Sequence, residues 1–472
     1  MPRANLALGH FEREQAGESE RILINKYAEP NGGDPSRPVR LVDTPGSMDV
    51  DTGNVITGTI RGLAQSDAFA SGKVLILDGT TLRTWVPSTG TYGTITGTVT
   101  GTDRADMAFT QTELAVLSNG SIYVSGGTTI AVAGDVDFPS NITSIATFNQ
   151  RILMTAASGQ WHFTDVLDID SISGLNFYTA EAQPDNLVAV RVMGSTVLLF
   201  GNKTVELWYG DASNANDPFS RQSNVIPKGC LCRDGIQVLD ASVIWVAEDR
   251  TVRQWMGGPA TVISKPWITR ALAGIAAADI IASTYEADGH AFYCLNTPND
   301  CFVYDLLTSE WHLRKTDASD TWAWVRIISQ DGLQYASKRT GSTFVHLSRI
   351  YVTDEQVDAS TFNVDITQEW TAHIPHEGGR PALGPIILEG SKGIGNASGD
   401  GADPQVQMRI STDNGNTWSA WRSRSMGVQG DYDARSKWNL NGRGRRPQTI
   451  LHFKVVEPVK TDVTGVVYGE PS

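Results

Sequence analysis

The chain has 472 residues, with 38 Lys and Arg against 52 Asp and Glu and a formal net charge of -14. Hydrophobic residues make up 40% and charged residues 19%. That balance excludes disorder, collagen and coiled coil for most of the chain, and the length allows about three domains. An acidic chain is not a simple nucleic-acid binder, because that affinity comes from Lys and Arg neutralising phosphates. Four cysteines, Cys230, Cys232, Cys294 and Cys301, are too few for a disulfide scaffold, and Cys230-x-Cys232 lacks the two-residue spacer of a zinc knuckle. Buried free thiols are expected. No apolar run reaches the length of a membrane helix, and MPRANLALGHFEREQ has no adequate apolar h-region, so neither a membrane segment nor a secretory signal is expected.

Residues 1–50 are polar and rich in Pro and Gly, and read as an N-terminal arm, with a short helix conceivable only over FEREQAGESERILI, residues 11–24. From about residue 55 short β-rich runs alternate with turn signals. KVLILDGTTLRTWV, ELAVLSNGSIYVSG, RILMTAASGQWHFT, TVLLFGNKTVELWY, SVIWVAEDRTVRQW, HAFYCLNTPNDCFVYD and LQYASKRTGSTFVHL share one plan, a strand, a tight turn and a second strand with an aromatic. They start at Lys73, Glu113, Arg151, Thr196, Ser242, His290 and Leu333, at offsets of 40, 38, 45, 46, 48 and 43 residues. That period is the period of a β-propeller blade. The reading is an irregular propeller of six or seven blades over 55–350. Asp78-Gly79 and Asn119-Gly120 suit type I′ turns. The aromatics Trp85, Tyr123, Trp161, Trp208, Trp255, Tyr304 and Phe344 fall in similar register and are assigned to packing between blades. NLVAVRVMG (186–194) reads as an inner strand and PATVISKP (259–266) as an outer one. WITRALAGIAAADIIAS (267–283) has helix formers at helical spacing and reads as an inter-blade insertion.

The period stops near 355. Runs at 362–374, 384–391, 405–413, 433–441, 449–457 and 461–469 read as six strands of a C-terminal antiparallel β-sandwich-like domain over 355–472. The fold class is therefore all-β.

STDNGNTW (411–418) fits the Asp-box pattern S-x-D-x-G-x-x-W. Asp413 can accept from the turn's amides, Gly415 can take positive φ, and Ser411 and Trp418 complete the turn. Such boxes recur in sialidase propellers, but as structural turns without catalysis. His373 and His376 could offer a metal pair with Glu377 adjacent, yet Pro375 implies an extended segment in which i and i+3 face opposite sides. His290 and His312 read as hydrogen-bonded structural residues. Asp165, Asp168 and Asp170 could attract calcium, but no calcium-loop pattern surrounds them. NGRGRR (441–446) is the dense basic patch, assigned to a hairpin tip or an interface. G-x-S-x-G, H-E-x-x-H and Walker A motifs are absent from the sequence. No catalytic residue, cofactor or metal is assigned, and no enzymatic activity is expected.

NKYAEPNGG and RLVDTPGS (25–47) look like the opening of short-tailed phage tail proteins. FYTAEAQPDNLVAVRVMGSTVLLFGNKTVELWYGDAS (177–213) is similar to the central region of the packaged-DNA stabilisation proteins, also called tail accessory or nozzle proteins. VIPKGCLCRDGI (225–236), GHAFYCLNTPNDCFVYDLLTSEWHLR (289–314) and MRISTDNGNTWSAWRSRSMGVQGDY (408–432) resemble further segments of that family, in order. The resemblance implies a structural virion protein, assembled in the host cytoplasm. Its expected partners are its own copies in a hexameric ring, the portal and adaptor proteins above it, and fibres, spikes or a needle at the tip. DNA would pass through its channel without sequence-specific binding. An acidic lumen would let DNA slide without adhering. A carbohydrate-active propeller, hydrolase or lectin, is the alternative that the Asp box suggests.

Overall fold

Short strands joined by tight turns account for nearly all the regular structure, and among the described residues only Pro266–Ala273 forms a helix of two turns. The computed structural model describes every residue except 14, 16–17, 33–36, 52, 54, 181–184, 212–217, 240, 317–320, 341–342, 351–356, 360–363, 377–381, 445–447 and 470–472. Side chains of 340, 343–344, 357–359 and 364 are outside the description too. The chain divides into two units: residues 49–285 with 324–349, and residues 1–48 with 286–323 and 350–472.

The first unit is a six-bladed β-propeller. Five four-stranded antiparallel sheets follow one another. They run from Ile60–Gln65 to Thr91–Ile95, Asp106–Phe109 to Ile130–Val132, Ile142–Phe148 to Phe177–Thr179, Leu187–Met193 to Phe219–Pro227, and Gln237–Leu239 to Thr261–Val262. Trp324–Gln330, Leu333–Thr340 and Thr343–Ile350 build the sixth blade. The chain entering the propeller is fastened to that last blade. Val50 N–H donates to Leu347 O at 2.9 Å, and Ser348 Oγ donates to Asp49 Oδ1 at 2.6 Å.

Each blade packs both faces against neighbours, so its second strand is apolar at nearly every position rather than alternating. Val74–Asp78, Leu114–Ser118, Arg151–Ala156 and Ser242–Val246 are buried throughout. Trp85 of blade one meets Tyr335 of blade six edge-on at 5.0 Å, closing the circle. Tyr123 joins the cluster between blades one and two, and Trp255 the cluster between four and five. Trp161 and Trp208 join blades three and four, 5.3 Å apart. These contacts are the inter-blade packing expected of the aromatic register. The side chain of Phe344 lies outside the described residues.

All seven repeating hairpins form, but the one beginning at His290 belongs to the second unit, with its Tyr304. Six blades is therefore the count. Asn119 and Gly120 both take positive φ, 49° and 73°, as a type I′ turn requires. At the first hairpin Asp78 pairs with Thr81 and only Gly79 has positive φ, 56°, so that turn is not type I′. Asp78 instead accepts from Gly58 N at 2.6 Å and from Arg83 Nε at 2.8 Å. The helix expected over 267–283 stops at Ala273, capped by Gly274. A 3-10 turn at Ala277–Asp279 follows, and Ile281 opens a strand.

The second unit contains the C-terminal β-sandwich. One sheet carries Lys26–Pro30, Val39–Asp43, Val463–Tyr468, Ile386–Gly390 and Lys437–Trp438. The other carries His290–Asn296, Cys301–Asp305, Glu310–Arg314, Leu23–Ile24, Gln368–Pro375, Gln448–Val455, Gln405–Ser411 and Arg422–Ser425. Strand Arg3–Leu6 spans both, pairing Arg3–Ala4 with Val466–Val467 and Asn5–Leu6 with Ala372–His373. Its core brings together Trp370, Met408, Trp438 and Phe453. The first 48 residues thus supply strands to this unit. No helix forms among the described residues of 11–24, where Phe11 bridges Arg21. Pairing with distant strands overrides the local helix formers.

Lys26 and Asp43 form an ion pair with both side chains fully buried. The Lys26 ammonium also donates to Thr461 O and, at 2.9 Å, to Thr461 Oγ1, and lies 5.1 Å from the Trp370 ring. Thr461 N donates to Asp43 Oδ2 at 2.5 Å. Burial pushes the Asp43 carboxyl up, and Lys26 opposes it. Removing one partner leaves an uncompensated buried charge. Lys26→Met should therefore destabilise this unit by about 3–5 kcal/mol, whereas Lys26→Met with Asp43→Leu should recover most of it. Denaturant unfolding followed by the fluorescence of Trp370 and its neighbours measures both.

Acid acts on the same unit. Burial pushes His312 down to about 3 and His373 to about 4, from an ordinary 6.5. Between those values and 6.5 the unfolded chain binds protons that the folded chain does not, so stability falls as pH falls. The two together give a slope of up to about 2.7 kcal/mol per pH unit. Asp305, held low despite burial by its bond from His290, works in the same direction. Unfolding midpoints measured from pH 7 to 4 should decline steeply, and His312→Asn with His373→Gln should flatten that decline.

Candidate functional site

The first strand of each blade faces the propeller axis, and four of these strands carry a bulge. Register shifts fall at Ile60/Gly62, Ile142/Ser144, Leu187/Ala189 and Val325/Ile328. A bulge leaves backbone groups without a ladder partner, and arginines from other blades take up the freed carbonyls. Arg326 donates to Arg61 O, and Arg233 donates to Thr143 O at 3.2 Å. Arg326 itself sits in its strand's bulge with φ at 54°, a left-handed backbone that an arginine adopts only at a cost.

The remaining contacts extend across the axis. Arg104 Nε lies 3.2 Å from Asp234 Oδ2, and Arg233 Nε lies 3.3 Å from Asp234 Oδ1. Arg191 donates to Ser144 Oγ at 2.9 Å, and Ser144 Oγ donates to Asp106 Oδ2 at 3.1 Å. Arg191 also lies 3.5 Å from Asp106. Arg61 pairs with Asp103 at 2.8 Å. Arg233 donates to Arg104 O at 2.7 Å. Residues of all six blades are joined in this web.

A cavity of about 440 Å³ lies beside it, lined by Asp106, Arg191, Asp234, Gln237, Ser283 and Arg326 among apolar residues of the inner strands. Burial would raise the Asp234 carboxyl, but Arg233, Arg104, Arg326 and Arg191 hold it below its ordinary value. Burial pushes Arg326 down to about 10, with Arg104 and Arg233 adding to the effect. No motif announced this web, because each blade contributes one or two charges from widely separated positions. The available signal was a charge inside an apolar inner strand, as in NLVAVRVMG and WAWVRIIS.

The residues singled out from sequence lie elsewhere. In the Asp-box turn, Asp413 Oδ1 accepts from Thr417 N at 2.9 Å, Asp413 Oδ2 from Thr417 Oγ1 at 2.6 Å, and Gly415 N donates to Ser411 Oγ at 2.9 Å. Gly415 has φ at 92°. Trp418 stacks under the Arg409 guanidinium at 4.5 Å and meets His452 at 5.3 Å. His373 is bonded to Ser19 Oγ at 3.2 Å and His376 to Thr449 Oγ1 at 2.8 Å, so the pair does not converge. Glu377 is outside the described residues. His290 pairs with Asp305 at 2.8 Å, and His312 is buried. Asp165 accepts from Ser171 Oγ at 2.8 Å and Asp170 from Gly134 N at 2.6 Å. Among the described residues no three His, Cys, Asp or Glu are grouped to hold a metal. All four cysteines are free, and Cys230, Cys294 and Cys301 are buried. Of the basic patch, Asn441 accepts from Arg422 at 2.6 Å; Arg445 and Arg446 are outside the described residues.

Two family models match, the bacteriophage P22 Gp10 β-propeller over residues 5–359 and the P22 Gp10 β-sandwich over residues 367–467. The chain belongs to this family of packaged-DNA stabilisation, or tail accessory, proteins. It is a structural protein of a phage tail and assembles with other virion components. No curated protein matches the chain. Among solved structures, the crystal structure of the computationally designed Ika8 protein is similar at 13% identity and a TM-score of 0.41, over 67% of this chain and 93% of that one. No helix among the described residues is long and apolar enough to cross a membrane.

The web has a direct consequence for stability. Asp234→Asn weakens charge-assisted contacts to two arginines at once, and should lower propeller stability by about 2 kcal/mol. Calorimetry should place that loss in the propeller's transition and leave the other unit's transition in place.

Proposed function

We propose that this tail protein forms a hexameric ring below the portal and its adaptor, continues the DNA channel, helps retain the packaged genome, and holds fibres, spikes or a needle at the distal end. The observation that carries this reading is the family match to propeller and sandwich in order along the chain. Assembly would take place in the host cytoplasm. The Asp-box turn of Ser411, Asp413, Gly415 and Trp418 is read as structural, since its carboxylate is occupied by its own turn. A carbohydrate-active role is not favoured.

The charge supports passage of DNA without adhesion. The net charge is -14, and five arginines against three aspartates are drawn into the axial web. The rest of the molecule is therefore more acidic than the total implies. Phosphates meeting it gain few cationic partners, and affinity for duplex DNA stays low. Electron microscopy of the protein mixed with its portal and adaptor should show a six-fold ring stacked on the adaptor. Protein that stays monomeric with both partners present overturns the reading. Filter binding at physiological salt should detect no retention of duplex DNA.

A further inference from the structure

The charge of the chain is unevenly spread. Residues 105–190, which hold the second and third blades, carry nine Asp and Glu against one cation, Arg151. That guanidinium is turned inward and donates to Thr164 O at 2.8 Å. Residues 404–446, in the other unit, carry eight Lys and Arg against three Asp. Each sector joins its charge to exposed apolar surface.

On the propeller the apolar element is a knob. Val136 stands between Asp135 and Asp137 and is 95% exposed, and Leu175 is 86% exposed. Gly174 N donates to Asp137 Oδ2 at 2.9 Å and Ile172 N to Asp135 Oδ2 at 3.3 Å, so the two loops are tied together. On the other unit the apolar element is a pocket of about 500 Å³. Ile387 and Val467, opposite one another in the ladder, line it together with Arg37, Lys392 and Arg435. Its acidic lining residue, Glu389, is already held by Arg3 at 2.9 Å and by Arg37 at 3.4 Å. Lys392 and Arg435 are in no ion pair among the described residues.

We propose that the Val136 knob of one copy seats in this pocket of a second copy, with Asp135 and Asp137 set against Lys392 and Arg435. Exposed apolar surface rimmed by charge marks a protein contact site, and opposite potentials align two such surfaces and reject wrong partners. Neither face is complementary to itself, since one is acidic and the other basic. The contact is therefore head-to-tail: each copy offers its knob to one neighbour and its pocket to the other. Contacts of that type close into a ring when the rotation between copies permits it. This inference rests on the ring proposed above and names the surfaces that would build it.

Two measurements on the full-length protein, with its portal and adaptor present, test the contact. In the first, Val136→Cys chains are mixed with Lys392→Cys chains and oxidised with diamide. A disulfide-linked pair holding one chain of each kind should form, and neither variant alone should give it. In the second, electron microscopy counts adaptors that carry a ring. Lys392→Glu with Arg435→Glu should lower that fraction about tenfold, because like charges then face each other. Adding Asp135→Lys and Asp137→Lys to the same chain should restore most of it. Where those two substitutions disturb their own loop, the cross-link and the pocket variant decide. Absence of the cross-link, or rings unaffected by Lys392→Glu with Arg435→Glu, overturns the proposed contact and leaves the ring standing. A cross-link from a protein that forms no ring keeps the contact and overturns the ring.

Discussion

A guanidinium presents five N–H donors and no acceptor, and that constraint organises the propeller. Apolar packing between blades is non-directional and does little to set how far each blade advances toward the axis. The arginines add directed contacts between blades. Arg326 of blade six ends on a carbonyl of blade one. Arg233 of blade five ends on carbonyls of blades two and three. Arg191 of blade four reaches Ser144 of blade three, which in turn holds Asp106 of blade two. The bulges make this possible, because a regular strand would have spent its carbonyls on its neighbour. The irregularities of the inner strands and the charges near the axis are therefore one feature.

The second unit solves a related problem by other means. Its strands come from three separate stretches of chain, so the loop-closure cost of assembling them is large. Apolar burial around Trp370 and Phe453 supplies the bulk of the compensation. The buried Lys26–Asp43 pair adds register rather than energy, since a buried ion pair gains little over an apolar replacement. The pair and its shared partner Thr461 meet only when strands Lys26–Pro30 and Val39–Asp43 and the chain leading into Val463–Tyr468 are all in place.

Features encoded within a few residues were legible in the sequence, and features assembled across the chain were not. The seven hairpins, the Asn119-Gly120 turn and the bonds around Asp413 all follow from local chemistry. The His290 hairpin has the same plan as the others, and nothing within it shows which sheet it will join. The strand after it, Glu310–Arg314, carries the sheet on to Leu23–Ile24, more than 250 residues away, through Leu313 and Ile24. The N-terminal strands were obscured for the same reason: Arg3–Leu6 alternates polar and apolar residues over only four positions, too short a run to mark a strand by itself, and is made one by Ala372 on one side and Val466 on the other. The axial arginines come one or two per blade, so no spacing could reveal them.

This interleaving bears on how the two units depend on each other during folding. The chain begins in the second unit, runs through five blades, returns to the second unit for residues 286–323, adds the sixth blade, and finishes in the second unit. A cut near residue 350 would remove Trp370, Phe453 and Thr461 while leaving Leu23, Lys26 and the His290 hairpin behind. Those strands would then expose apolar faces and a buried-type lysine with no carbonyl to receive it. Five blades can form as the chain emerges, but the sixth is reached only after the excursion through residues 286–323. Closure at Trp85 and Tyr335, and with it completion of the axial web, therefore requires chain that lies beyond residues 286–323.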